Sequence, residues 1–187
     1  MELGVWERQH YRFGLAGEAQ ADVIESYLAG HSGRILYVGC GLGPYKYENL
    51  SKYGSVVAID REEKMLRNAK EEAGEVPDVE FKVADARCLE DFEADSFDHI
   101  LALGLFAYIH LQEVDKVFTQ FWRVCRPGGY LMLTNATRHQ KDAYIESGLQ
   151  CGFELLKEKE GYCPAASSKR RYLLVFTKAQ SSPSIHP

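Results

Sequence analysis

Short apolar runs alternate with segments of mixed polarity along most of this chain. Each run has the length of a buried strand, and the runs cover residues 34–39, 55–60, 79–83, 96–103 and 130–135. Several of the segments between them space their apolar residues as one face of an amphipathic helix does. Helices are therefore predicted at residues 18–29, 44–53, 61–73 and 111–125. Strands that alternate with helices predict a mainly parallel sheet covered on both faces.

The pattern changes after the fifth strand. A helix can form over residues 141–152, and two further strands are predicted at 153–159 and 169–178. The loop between these two strands is too short to hold a crossover helix, so they should pair antiparallel. The sheet is therefore expected to be parallel except at its last strand.

The composition is that of one globular domain. With 187 residues, 45% of them hydrophobic, the chain can bury a substantial core. We assign residues 1–178 to this domain and expect the polar, proline-interrupted residues 179–187 to form a flexible tail. Residues 1–15 mix aromatic and charged side chains, and the sequence leaves open whether they form a lid over a pocket or a helix packed on the domain.

The charge and the cysteines narrow the function classes. A net charge of -5 gives no general attraction to phosphate backbones, so DNA is not expected as a partner and a small-molecule substrate is favoured. The cysteines never have the spacing of a metal knuckle, and no metal site is expected. No apolar run approaches the roughly 20 residues that cross a bilayer. We expect a cytoplasmic protein without a membrane span, either a monomer or a homodimer.

The strongest candidate for a ligand site is the glycine turn after the first strand. Gly39, Gly41 and Gly43 follow a buried apolar run, and Pro44 stands where a helix could begin. Glycines let the backbone approach a bound molecule closely, and a helix N-terminus offers unpaired N–H groups. The turn therefore has the features of a nucleotide-binding site.

Acids follow the next two strands. Asp60 ends the second strand, 21 residues beyond Gly39, which is the separation expected when a carboxylate binds ribose hydroxyls. Asp85 follows the third strand. In an open α/β sheet, ligands bind at the carboxyl ends of the strands, so both acids should face the same edge as the glycine turn. The alternatives are that Asp60 caps the following helix and that Asp85 is an ordinary turn acid.

Five segments together resemble the successive motifs of class I S-adenosylmethionine-dependent methyltransferases. The segments are Ile35–Gly43, Val56–Asp60, Phe81–Ala86, Phe97–Ile109 and Arg123–Asn135. The resemblance implies a three-layer αβα sandwich with a seven-stranded sheet in the order 3-2-1-4-5-7-6 and an antiparallel last strand. It also implies S-adenosylmethionine as the cofactor, which would lie along the carboxyl edge of the sheet.

The resemblance also implies which residues contact the cofactor. Gly39, Cys40, Gly41 and Gly43 would border its methionine part, next to Tyr37, which stands where family members usually carry an acid. Asp60 would hold the ribose and Leu103 would accept the ammonium through its backbone carbonyl. The residues implied around the adenine are Arg61, Met65, Asp85 and Ala86.

Candidates for catalysis and acceptor binding lie mainly after the fourth strand. The histidine that family members often carry there aligns with Tyr108, and His110 follows closely. A phenol with an ordinary pKa of about 10 is a poor base at neutral pH, so the sequence leaves open whether Tyr108, His110 or His10 removes a proton or orients the acceptor. Aromatic walls suit an apolar or cationic acceptor, and the aromatic candidates are Tyr11, Phe106, Tyr108 and Tyr162. His139 is expected to face the same opening, and the resemblance implies that Leu105 and Phe106 wall the pocket. The alternatives are that the aromatic residues belong to the core and that the histidines lie on the surface.

A methyltransferase acting on a small-molecule acceptor by in-line displacement is the predicted function. A nucleic-acid or protein methyltransferase and a non-catalytic S-adenosylmethionine-binding regulator are the alternatives. The basic run Lys169–Arg171 contacts an anionic substrate or RNA, or is only a solvated strand edge. An NAD-dependent oxidoreductase is disfavoured because Pro44 replaces the third glycine of the dinucleotide fingerprint.

Overall fold

The computed structural model describes residues 22–41, 47–162 and 170–180. The strands of its sheet are β1 (Ile35–Val38), β2 (Val56–Asp60), β3 (Val79–Val83), β4 (Phe97–Leu103), β5 (Cys125–Ala136), β6 (Phe153–Tyr162) and β7 (Arg170–Lys178). The α-helices of the described residues are α1 (22–28), α2 (Tyr47–Leu50), α3 (Glu63–Ala73), α4 (Val114–Val124) and α5 (Arg138–Gln150). Two short 3-10 turns, Leu105–Ala107 and Leu111–Glu113, connect β4 to α4.

The seven strands form one sheet in the order β3-β2-β1-β4-β5-β7-β6. Strands β1 to β5 pair in parallel, whereas β7 is antiparallel to both β5 and β6. This topology confirms the predicted fold, including the strand that runs against the others. It also places the ends of β1, β2, β3, β4 and β5, together with the start of β7, at one edge of the sheet, which we call the carboxyl edge.

Two apolar clusters cover the two faces of the sheet. Alternate residues of β1 separate between them, with Leu36 and Val38 in one cluster and Ile35 and Tyr37 in the other. The first cluster takes its helical residues from α4 and α5, and we call this side the α4 face. The second takes its helical residues from α1, α2 and α3, and we call this side the α1 face. Helices on both faces give the expected three layers.

Strand β5 starts earlier than predicted. The segment expected to be a turn, Arg126–Gly129, forms a bulge in this strand, because pairing moves from Phe97↔Cys125 directly to His99↔Tyr130. The guanidinium of Arg126 bonds both carboxylate oxygens of Asp98 at 3.0 and 3.1 Å. A Cβ atom at position 129 would lie 2.7 Å from the Asp98 carbonyl, so only glycine fits there.

Two helix boundaries also differ from the predictions. Helix α5 begins at Arg138 instead of residue 141, because the side chain of Gln140 accepts the backbone N–H of Thr137 at 3.3 Å and caps the first turn. Helix α2 ends at Leu50 instead of residue 53. The Tyr53 carbonyl accepts the Gly33 N–H at 2.9 Å, and this bond draws the chain out of the helix.

Several predictions fall on residues outside the described ranges. They are the lid over residues 1–15, the start of the second helix at 44, the role of Gly43, the roles of His10 and Tyr11, and most of the tail. Within the described ranges, no helix is long and apolar enough to cross a membrane. The same residues contain no group of three or more side chains that could hold a metal ion.

Candidate active site

The glycine turn lies at the carboxyl edge with its backbone in a conformation that favours glycine. Gly39 has φ +63° and Gly41 has φ +48°, both in the left-handed region. A Cβ atom at position 39 would lie 2.8 Å from Cδ1 of Leu105. The turn after β1 is therefore packed against the loop after β4, with no side chain between the two backbones.

The end of β2 meets this turn through Asp60. Its Oδ2 accepts the backbone N–H of Gly41 at 3.0 Å, and its Oδ1 accepts the backbone N–H of Glu62 at 3.0 Å. The second bond closes a turn just before α3, whose N-cap is Glu62. Asp60 thus closes the turn before α3 and is not the cap of the helix itself, and each of its carboxylate oxygens keeps a further lone pair. The two features expected to hold an adenosine therefore lie side by side.

Asp85, after β3, takes part in an ion-pair network. Arg87 donates to its carboxylate from Nε at 2.8 Å and from Nη2, and donates from Nη1 to Glu113 at 2.7 Å. These hydrogen bonds from Arg87 lower the pKa of Asp85, and the nearby charge of Arg61 adds to the effect. The network ties the loop after β3 to the 3-10 turn before α4. Met65 is half-buried on α3 and Ala86 is buried beside Asp85.

Tyr37 and Cys40 are buried on the α1 face, under the glycine turn. The ring of Tyr37 lies 6.0 Å from that of Tyr47, centroid to centroid. Both Tyr37 and Cys40 have no exposed surface, and burial raises the pKa of the Cys40 thiol to about 12. A cofactor at the carboxyl edge could therefore meet position 40 only through its backbone, and Tyr37 presents no open hydroxyl surface.

The segment after β4 divides between core and surface. Phe106 is 2% exposed and packs against Phe118 and Tyr144 at 5.6 and 4.7 Å between ring centroids. It is a core residue of the α4 face, which agrees with the alternative that the aromatic residues belong to the core. Tyr108 is half-buried, and burial together with the negative charge of Asp60 raises its pKa. Tyr108 therefore lies within the electrostatic influence of Asp60.

The two predicted histidines within the described residues are both exposed. His110 precedes the 3-10 turn Leu111–Glu113, where its backbone carbonyl accepts the Glu113 N–H at 2.8 Å. His139 lies in the first turn of α5. Exposure agrees with the alternative that these are surface histidines, and their catalytic and pocket roles stay predictions.

Comparison with protein families shows which family this chain belongs to. A family model described as a methyltransferase domain matches residues 35–129, just over half of the chain. This chain belongs to the methyltransferase domain family. The matched residues run from β1 to the bulge of β5 and include Asp60, Asp85 and Tyr108. The family is that of the class I S-adenosylmethionine-dependent methyltransferases, and S-adenosylmethionine is its methyl donor.

Curated relatives of this methyltransferase include two kinds of N-methyltransferase. It is 31% identical over 149 residues to a phosphatidylethanolamine N-methyltransferase of Cereibacter sphaeroides, covering 77% of this chain and 71% of that protein. It is 33% identical over 133 residues to phosphoethanolamine N-methyltransferase 3 of Arabidopsis thaliana, covering 69% of this chain. The chain spans only 25% of the length of that plant protein.

Solved structures share the fold of this methyltransferase at lower identity. An S-adenosylmethionine-dependent methyltransferase from Methanosarcina mazei matches with a TM-score of 0.73 and 20% identity, covering 85% of this chain and 98% of that one. The N-methyltransferase NodS of Bradyrhizobium japonicum matches with a TM-score of 0.71 and 15% identity, covering 87% and 96%. These matches establish the class I methyltransferase fold.

Sequence reasoning missed Arg87 and Glu113 in this methyltransferase. Arg87 stands two residues after Asp85, a spacing that suits a side chain turning back onto a turn acid, so a local signal existed. Glu113 lies 26 residues from Arg87 and carried no such signal. Their pairing depends on how the loop after β3 packs against the start of α4.

Proposed function

We propose that this protein transfers a methyl group from S-adenosylmethionine to a small-molecule acceptor. The observation that carries the proposal is the 3.0 Å hydrogen bond from the Gly41 N–H to the Asp60 carboxylate. It shows that the side-chain-free turn and the acid converge on one place at the carboxyl edge. A diol-binding carboxylate beside a glycine cradle fits an adenosine.

The residues that would hold the cofactor follow from this arrangement. Asp60 would bind the ribose hydroxyls through the lone pairs that its two backbone bonds leave over. Gly39 and Gly41 would border the methionine part with their backbone, and Asp85, kept ionised by Arg87, would accept the adenine amino group. The carbonyl of Leu103, at the end of β4, would accept the ammonium. When bound, S-adenosylmethionine supplies a methyl group already activated on a sulfonium.

The chain's own residues then have to position the acceptor and exclude water. Positioning alone can lower a barrier by about 7–11 kcal/mol without a covalent intermediate. The raised pKa of Tyr108 keeps its phenol protonated at neutral pH, so its role is to donate a hydrogen bond and not to remove a proton. His110 stands two residues after Tyr108, and its imidazole could take a proton from the acceptor.

The relatives support a small acceptor with an amine as the reacting group. The protein from Cereibacter sphaeroides is named for phosphatidylethanolamine and the protein from Arabidopsis thaliana for phosphoethanolamine, both as N-methyltransferases. A nitrogen that attacks as a neutral amine has to lose its proton beforehand, and an exposed histidine is well placed for that exchange with solvent.

A second candidate function is a regulator that binds S-adenosylmethionine without catalysis. The observation that favours it is Tyr37, a fully buried phenol at the position where the family usually carries an acid. Without that acid, the methionine end of the cofactor is held by fewer charged groups. The two candidates differ in turnover and not in cofactor binding.

Titration calorimetry with S-adenosylmethionine, S-adenosylhomocysteine and NAD tests both candidates. We expect both sulfur nucleotides to bind and NAD not to bind. Incubation with methyl-labelled S-adenosylmethionine and ethanolamine, phosphoethanolamine or dispersed phosphatidylethanolamine should then label at least one acceptor. Binding without any labelling would favour the regulator, and tighter binding of NAD than of S-adenosylhomocysteine would refute both.

A further inference from the structure

Arg171 lies at the carboxyl edge because β7 runs antiparallel to its neighbour. Tyr172 pairs with Ala136, the last residue of β5, so position 171 is just beyond the end of that strand. Side chains alternate along a strand, and Leu173 and Val175 belong to the α1-face cluster. Arg171 therefore projects on the α1 face, on the same side of the sheet as Tyr37 and the helix α1.

Two of the three nitrogens of the Arg171 guanidinium are buried without a hydrogen-bond partner among the described residues. They are Nε and Nη1, which are shut off from solvent. The carboxylate of Glu160, on neighbouring β6, lies on the other face, where it accepts the Tyr172 hydroxyl at 3.2 Å. Burying an unpaired charge is unfavourable, so such a group is uncommon in a folded protein unless it has a function.

Other buried or half-buried cations of this protein show the contrast. Lys178 bonds the Asp95 carboxylate at 2.6 Å, and Arg87 bonds Asp85 and Glu113. Lys141, which also lies near the start of β7, bonds Glu158 at 2.9 Å and Asp142 at 3.1 Å. Each of these charges is neutralised by a carboxylate, whereas no ion pair of Arg171 is found in the part of the chain that the structure describes.

We propose that Arg171 binds the phosphate group of the methyl acceptor, an inference that rests on the proposed function. A guanidinium offers a planar pair of donors that matches two phosphate oxygens, and partial burial strengthens that pairing. Strand β7 lies two strand spacings from β4, about 10 Å away, and β4 ends in the loop that carries Tyr108. An acceptor could therefore be held by its phosphate at β7 while its amine reaches the cofactor above β4.

The phosphate could belong to a soluble phosphomonoester or to a lipid headgroup. Both have the same anionic oxygens. One relative is named for the soluble compound phosphoethanolamine, and another is named for the lipid phosphatidylethanolamine. The sequence left open whether the basic run Lys169–Arg171 is a solvated strand edge or contacts an anion. Arg171, its last residue, is thereby assigned to the anion contact.

The test compares Arg171→Gln, which removes the charge, and Arg171→Lys, which keeps it but loses the paired donors. Lys157→Gln is the matched control, since it removes an exposed charge from neighbouring β6. The first measurement is the binding of inorganic phosphate and phosphoethanolamine by calorimetry, without any nucleotide. We expect Arg171→Gln to weaken both by about ten- to a hundredfold, Arg171→Lys to weaken them less, and the control to bind as the wild type does.

Two further measurements separate the explanations. The first measures the affinity of the wild type and of Arg171→Gln for dispersed phosphatidylethanolamine and for phosphoethanolamine, each compared with ethanolamine. The compound whose affinity falls in Arg171→Gln is the one bound through Arg171, and a fall for either compound supports the proposal. The S-adenosylhomocysteine affinity of Arg171→Gln should equal that of the wild type, so failure of the cofactor proposal appears separately. A wild-type protein that binds none of the phosphate probes would overturn the inference, as would an Arg171→Gln variant that binds them unchanged.

A purely structural role for Arg171 makes the opposite prediction for stability. Removing an unpaired, partly buried charge should leave the urea unfolding midpoint of Arg171→Gln unchanged or raise it. A clear fall in that midpoint, relative to Lys157→Gln, would indicate a partner inside the fold and would also overturn the proposal.

Discussion

Replacing Asp60 with alanine removes the carboxylate that joins the end of β2 to the glycine turn of β1. In the folded protein its Oδ2 accepts the Gly41 N–H in a partly buried position, and its Oδ1 accepts the Glu62 N–H at the surface. The substitution leaves the partly buried Gly41 N–H without this acceptor, whereas water can replace the acceptor of the exposed Glu62 N–H. Both the fold and the cofactor site should therefore weaken.

The magnitude follows from the two bonds. A hydrogen bond to a charged group contributes about 1.5–3 kcal/mol, and the low end applies to the partly buried bond because Asp60 is only half-buried. The exposed bond adds at most about 0.5 kcal/mol, so the free energy of unfolding should fall by about 2 kcal/mol. If the same carboxylate holds the ribose diol, the affinity for S-adenosylhomocysteine should fall at least about tenfold.

Urea unfolding gives the first quantity and calorimetric titration gives the second. Glu63→Gln is the control, because it removes a neighbouring acid whose exposed ion pair with Arg67 contributes little. Asp60→Asn keeps one acceptor and should lie between the wild type and Asp60→Ala in both measurements. An Asp60→Ala variant that is destabilised but binds S-adenosylhomocysteine with unchanged affinity would show that Asp60 is structural only, and the cofactor assignment would be wrong.

Three further substitutions test other parts of the structure. Gly39→Ala should destabilise the protein by more than Gly74→Ala in urea unfolding. Both glycines have positive φ, but only a Cβ at position 39 would meet another residue. Equal losses of stability would contradict the packed turn. Lys178→Met should lower the free energy of unfolding by about 2–4 kcal/mol, since two buried carbonyls lose their donor; a loss below about 1 kcal/mol would contradict this. Burial lowers the pKa of His99, so the unfolded state takes up a proton first as the pH falls below 6.5. The wild type should thus lose stability towards pH 5 more steeply than His99→Gln, and parallel pH profiles would refute the role of burial.

The predictions that succeeded depended on local patterns. An apolar run followed by glycines or an acid marks the carboxyl end of a buried strand, and these runs predicted a mainly parallel sheet with Asp60 at its carboxyl edge. The strand order came from the resemblance of five segments to the class I methyltransferases. The short loop before the last strand predicted the antiparallel β7, because a crossover connection needs more residues than that loop has.

The features that the sequence left open or placed differently depended on distant contacts. Phe106 follows a strand as a pocket residue would, but α4 and α5 bring Phe118 and Tyr144 against it and make it part of the core. The segment Arg126–Gly129 has the composition of a turn, but its ion pair with Asp98 holds it in the sheet as a bulge. Neither partner is close in sequence.

The sequence by itself therefore determined the fold class, the antiparallel last strand and the edge of the sheet at which the chemistry should occur, and the resemblance of its motifs to a known family supplied the strand order. Strand and helix periodicity and the positions of turn glycines are properties of neighbouring residues, and they can be read without coordinates. Only the tertiary structure decided how each charged side chain is used. It pairs Arg87 with Glu113 and leaves Nε and Nη1 of Arg171 buried without an acceptor among the described residues, because those outcomes depend on distances across the sheet and on exclusion of water.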